Sequence, residues 1–456
     1  MDYSFLPFLL VLFISFVIGC IFSKSSKKQS DYFLASRALG WPLLTMTFAA
    51  TQIGGGFILG TADAAFQEGP FALLFPIGYC LGFLALGLGF GAKLRSLELD
   101  TAADVFECYY KSTALKKIAA ILSIVSLTGI LIAQAVALKK FLFSMGWCDE
   151  WIFLLAWSVV ILYTTQGGFL AVVWTDTVQA VVMIGMLIAA FFFTIGAAPT
   201  TFFEQATNLE GKWELAESKI LGYLLMPFLF TFIEQDMAQR CFAAKSKKDV
   251  TIAGLLSAFI LLILAIIPVY FGMLADALNV QVAPSSKFME VVKLLTNKGV
   301  VSCAASAVLL AIISTSSSLL SAASSNISQD FSSKTKKLPI SWTKLITFAT
   351  GIFALIGSYI ATNVLSCMVA SYELSVACLF VPFVAAVFLK EKCETLLPAA
   401  ILSVAFGAGG FILIKLVSFG MWGDLLPLTC SLTGYGIGML VAKKRAPSQK
   451  LVFDTQ

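Results

Sequence analysis

The chain has 456 residues, of which 59% are hydrophobic and only 12% charged, with a net charge of +5. A mean hydropathy of +0.91 excludes a set of soluble domains and indicates an integral membrane bundle. There is no histidine, so the common neutral-pH base and metal ligand is missing and a zinc or haem enzyme is disfavoured. No acidic cluster suits a magnesium–diphosphate transferase either, and the reading is of a protein that is not an enzyme. The ten cysteines are scattered without a C-x-x-C pair and read as small buried hydrophobes.

A bilayer core of about 30 Å takes about 20 apolar residues per helix. The apolar runs predict thirteen spans, near 4–23, 41–67, 70–92, 115–138, 150–166, 168–198, 220–239, 249–275, 300–328, 341–361, 366–389, 395–418 and 421–442. The first opens without a basic residue and has Lys24, Lys27 and Lys28 after its apolar run, so it is expected to be a span and not a cleaved leader.

The second span carries Thr51-Gln52-Ile53-Gly54-Gly55-Gly56, then Gly60 and Asp63. Successive glycines lower helix propensity, which favours unwinding there over close packing of the Gly78-x-x-x-Gly82 kind. The sixth span holds Asp176, as a cation ligand or merely an ion-paired group. In the seventh, Pro227 precedes Glu234-Gln235-Asp236 and Gln239-Arg240. Carboxylates at membrane depth need a cavity, a partner or water, the plain alternative being a solvated cytoplasmic end beside Arg240. The two interrupted spans begin two sets of five helices of opposite orientation, the pattern of an inverted-repeat transporter.

In the ninth span Ser314, Ser317, Ser318, Ser321 and Ser325 fall on one helical face, beside Thr315. Such hydroxyls suit a hard cation or interhelical hydrogen bonds. If the loop with Lys24, Lys27, Lys28 and Arg37 is cytoplasmic, alternation places 23 of the 31 basic residues on that face, Arg240 among them. The N-terminus is then outside and the C-terminus inside. The positive charge is an orientation signal and implies no nucleic-acid partner.

Four stretches resemble the sodium/solute symporter family of proline, sugar and choline transporters: Asp31 to Gly40, Thr51 to Gly60, Gly167-Gly168 through Trp174-Thr175-Asp176 to Gln179, and Ala311 to Ser318. The resemblance implies an all-α fold with a LeuT-type core of five plus five inverted helices. Its parts are an extra helix and linker at 1–30, repeats at 31–198 and 199–390, and two further helices at 391–456. It implies no cofactor beyond coupling sodium ions. A first sodium falls to Ala50, Ile53, Ala311, Ser314 and Thr315, and a possible second to Asp176, Ser314, Ser317 and Ser318. The expected substrate set is Gln52, Gly55, Phe57, Glu234 and Gln235. Gln52 and Glu234 stand where the choline branch has tryptophans, and an amide with a carboxylate suits an amino acid or amine. Choline, sugar or vitamin cargo, and proton-coupled or uncoupled carriage, stay as alternatives. The expected setting is a bacterial inner membrane, with the solute, sodium and the lipid bilayer as partners.

Overall fold

A computed structural model describes residues 5–23, 29–199, 209–280, 286–332, 338–388, 394–417 and 420–445. Among them the regular structure is helical apart from an isolated parallel bridge between Leu39 and Ala244. The main helices are α1 (Phe5–Ser23), α2 (Trp41–Gln52), α3 (Thr61–Glu68), α4 (Leu74–Ala85) and α5 (Asp104–Tyr110). Next come α6 (Thr113–Ser144), α7 (Glu150–Ile195), α8 (Ile220–Ile233), α9 (Gln235–Ala243) and α10 (Lys247–Ala277). The last are α11 (Lys298–Asp330), α12 (Ile340–Gly357), α13 (Val364–Ser375), α14 (Leu397–Leu416) and α15 (Leu426–Arg445).

Ten helical stretches among the described residues are long and apolar enough to cross a membrane, against thirteen expected spans. The difference has local causes. Gly56–Leu97 and Glu150–Ile195 each run as one stretch where two spans are expected, and the apolar part of α1, Leu9–Ile18, is short. The expected basic loop around Lys24, Lys27 and Lys28, the loops at 334–337 and 390–392, and Glu204 lie outside the described residues.

Within α7 the chain turns at Gly168, whose φ of 63° belongs to the region that only glycine enters without strain. A Cβ there would also lie 2.6 Å from the ring of Tyr32, whose hydroxyl donates to the Thr165 carbonyl at 3.1 Å. Thus the Tyr32 stretch locks onto the Gly167-Gly168 bend. Pro227 lies inside α8 without ending it; the break comes at Glu234, with ψ of 125°.

Helix α11 forms the axis of the bundle, buried almost continuously from Ala304 to Asn326 and packed on α7, α6, α12 and α2. Helices α14 and α15 pair with each other and with the segment Val376–Phe380. Large apolar side chains such as Leu88, Phe192, Phe259 and Ile360 face outward, as a lipid-immersed surface requires.

Candidate functional site

The site begins where α2 ends. In a continuous helix the N–H groups of Gly54 and Gly55 would bond the carbonyls of Ala50 and Thr51. Instead Gly54 N–H bonds the Gln52 carbonyl at 2.9 Å, and Gly55 N–H donates to Gln134 Oε1 at 2.8 Å. Buried carbonyls released in this way need other partners. Ser314 Oγ reaches the Ala50 carbonyl at 3.0 Å, and Thr315 Oγ1 reaches the Thr51 carbonyl at 2.9 Å and that of Ala50 at 3.3 Å. Ser314 Oγ also lies 3.0 Å from the Ala311 carbonyl. The close approach depends on Gly54, where a Cβ would stand 2.6 Å from Thr315 Oγ1.

Ala50, Ala311, Ser314 and Thr315 therefore place carbonyl and hydroxyl oxygens together at the break. Ile53, at the end of α2, takes a non-helical ψ of 71°. This neutral, buried oxygen cluster is a donor set suited to a hard monovalent cation.

One residue further, Gln52 Nε2 donates to Glu234 Oε2 at 3.3 Å, so that the side chains at the two helix breaks meet. Both are buried. Beside them the Tyr79 and Tyr372 hydroxyls bond each other, and Phe230 stacks on Tyr372 with ring centres 4.6 Å apart. Gly55 packs on Ala137 and Gln134, and Gly56 abuts Met368. Phe57 lies in the hydrophobic core.

Gln235, of the expected substrate set, is engaged elsewhere. Its Oε1 accepts from the Ala102 N–H at 2.7 Å, which ties it to the chain leading into α5. The break at Glu234 turns the next side chain away from Gln52. Gln134, Tyr79, Tyr372 and Met368 belong to the centre but were not expected. Gln134 is a lone amide in the apolar run Ile130–Ala137, the kind of buried polar group that marks function in a membrane helix; the other three carry no such signal.

Two residues of the second expected sodium set, Asp176 and Ser318, lie against Arg240. Arg240 is completely buried, which corrects its count as a loop charge and excludes a solvated end for Glu234 and Asp236. Arg240 Nη2 lies 3.1 Å from Asp176 Oδ2 and 2.6 Å from Ser318 Oγ. Asp176 Oδ2 accepts from Thr47 Oγ1 at 2.6 Å as well, and Ser317 Oγ donates to the Ser314 carbonyl at 2.9 Å.

A cavity of about 660 Å³ opens at the end of the bundle bearing the connection from α7 to α8, lined by Asp63, Glu68, Lys140, Leu365 and Glu373 among others. Ion pairs Lys140–Asp63 at 2.9 Å and Lys415–Glu373 at 2.7 Å stand in its wall. Leu365 packs toward Gly60 at its floor, one helical turn from Met368. The opposite end is tied by Lys116 to Asp104, Glu107 and Asp330 at 2.6, 3.4 and 3.5 Å, and by Thr101 Oγ1 to Asp330 at 2.6 Å.

The profile of the sodium:solute symporter family matches residues 32–390. A sodium/proline symporter of Haemophilus influenzae is 30% identical over 72% of this chain and 71% of its own. The Escherichia coli sodium/proline symporter is 28% identical over 71% and 69%. Among solved structures, a Na⁺-coupled sialic acid symporter in a substrate-bound outward-open state superposes with a TM-score of 0.76 at 18% identity, covering 96% of this chain and 98% of that one. A nucleobase-cation-symport-1 family transporter follows at 0.63 and 14%, covering 93% and 97%. The fold is of the LeuT type, and the chain belongs to the sodium:solute symporter family, whose members are built for sodium-coupled solute import.

Proposed function

We propose that this protein imports a small amino acid together with sodium, and that proline, the cargo named for its relatives, is the first to test. The observation that carries the reading is the sharing of one unwound segment. The carbonyls of Ala50 and Thr51 face the hydroxyls of Ser314 and Thr315, while the next side chain, Gln52, meets Glu234 of the other repeat. An ion held by the carbonyls of Ala50, Ile53 and Ala311 with the hydroxyls of Ser314 and Thr315 would fasten the break to α11. A cargo ammonium at Glu234 and Gln52 would fasten the two breaks together, flanked by the apolar and aromatic groups Gly55, Phe57, Tyr79, Tyr372 and Met368.

Each ligand stiffens backbone that the other also needs, which makes their binding cooperative. Rocking of the repeats about this site would then move both across the bilayer. The proposed setting is a bacterial inner membrane with the 660 Å³ cavity outward and the Lys116 network inward. An inward sodium gradient and a negative interior add about 2.3 kcal/mol per charge per 100 mV. The test is uptake of radiolabelled proline, choline and sialic acid into proteoliposomes. Uptake of proline driven by sodium supports the reading; uptake driven by a proton gradient alone overturns it.

A further inference from the structure

Asp176 lies on α7, Thr47 on α2, Ser318 on α11 and Arg240 on α9, and all four are buried. The guanidinium uses each of its nitrogens: Nε donates to Thr47 Oγ1 at 3.0 Å, Nη1 to the Asp236 carbonyl at 3.0 Å, and Nη2 to Asp176 Oδ2 and Ser318 Oγ. It also lies 5.5 Å from the ring centre of Phe169. A planar donor fork satisfied on every side, with its counter-ion, is a built structure and not a stray surface charge.

A cation with the expected ligands Asp176, Ser314, Ser317 and Ser318 would need the oxygens that Arg240 holds. Ser318 Oγ and Asp176 Oδ2 already face Nη2. Of the Asp176 carboxylate only Oδ1 is left without a hydrogen-bond partner, so a cation there would lose two of its four expected partners' oxygens, Asp176 Oδ2 and Ser318 Oγ, to the guanidinium. A sodium ion there would also sit within a few ångströms of a like charge at low dielectric. The residues present do not fit a second sodium.

We infer that Arg240 is a tethered cation standing in for a second sodium ion beside Asp176 and Ser318, so that this symporter binds one sodium ion per molecule. The inference rests on the reading that Ser314 and Thr315 help to hold the first. The tether supplies the positive charge that buried Asp176 needs without drawing it from solution, and it joins the half-helix α9 to α7 and α11 through one side chain. Arg240 is thus a positioning residue that sets ion stoichiometry.

The experiment is equilibrium binding of radioactive sodium to the purified full-length protein in lipid nanodiscs. Saturation at one ion per wild-type molecule is expected, with Ser318→Ala leaving the count and affinity unchanged within about twofold, and Arg240→Met raising the count to two. Two ions per wild-type molecule would overturn the inference while leaving the first-site reading intact. A count that stays at one in folded Arg240→Met also overturns it, and no sodium binding in the wild type would sink the first-site reading together with it. If Arg240→Met does not fold, the wild-type count and the Ser318→Ala affinity decide.

Discussion

The Thr315 hydroxyl donates to the Thr51 carbonyl at 2.9 Å and so closes the gap left where Gly55 N–H turns to Gln134. One hydroxyl on α11 thereby reports on the whole break in the first repeat. Replacing Thr315 or Ser314 by Ala removes an oxygen from the proposed ion site. Each variant is expected to raise the sodium concentration for half-maximal uptake about tenfold, equivalent to about 1.4 kcal/mol. Sodium titrations of uptake at fixed cargo check this, and Thr315→Ser is expected to recover most of the loss.

Gly54→Ala places a methyl 2.6 Å from Thr315 Oγ1. The break must then part from α11, and sodium affinity is expected to fall at least as far as in Thr315→Ala. Folding should persist, because overpacking one site typically costs about 1–3 kcal/mol. Sodium-dependent uptake together with a thermal melt separates the two effects.

Glu234→Gln keeps the shape of the side chain but removes the carboxylate that would face the cargo ammonium. The cargo KM is expected to rise tenfold or more, from the loss of a charge-assisted hydrogen bond worth about 1.5–3 kcal/mol, while sodium binding without cargo changes little. Gln52→Ala is expected to shift the cargo KM by a smaller factor. Competition binding with labelled proline reads both.

Gly168→Ala tests the junction between two stretches of the chain. Its φ of 63° and the Tyr32 ring oppose a side chain on two separate grounds, and backbone strain of this kind alone costs about 1–3 kcal/mol. A lower thermal midpoint is expected, with sodium affinity preserved in the surviving folded fraction. Tyr32→Ala in the same background should relieve the collision but not the backbone strain.

Much of the fold was legible because hydropathy and glycine act locally. Ten helical stretches among the described residues fall on the expected apolar runs, the triple glycine marks the first break, and the Ser314 and Thr315 hydroxyls both reach the Ala50 carbonyl. The second break was harder. Pro227 stays within α8 because a membrane helix can absorb a proline by local adjustment. The true break at Glu234 resets the register, so Gln235 points to Ala102 and Arg240 points into the bundle. Spacing along a chain cannot carry helical phase across such a break. Gln134, Tyr79 and Tyr372 reach the centre from elements far away in sequence, and only tertiary packing brings them together.

The most direct test of the central claim is initial-rate proline uptake into proteoliposomes with an inward sodium gradient, against an equal potassium gradient, in wild-type protein and Thr315→Ala. Uptake that depends on sodium and needs about tenfold more of it in the variant is the predicted result. Equal uptake in sodium and potassium, or an unchanged sodium dependence in folded Thr315→Ala, would contradict the account.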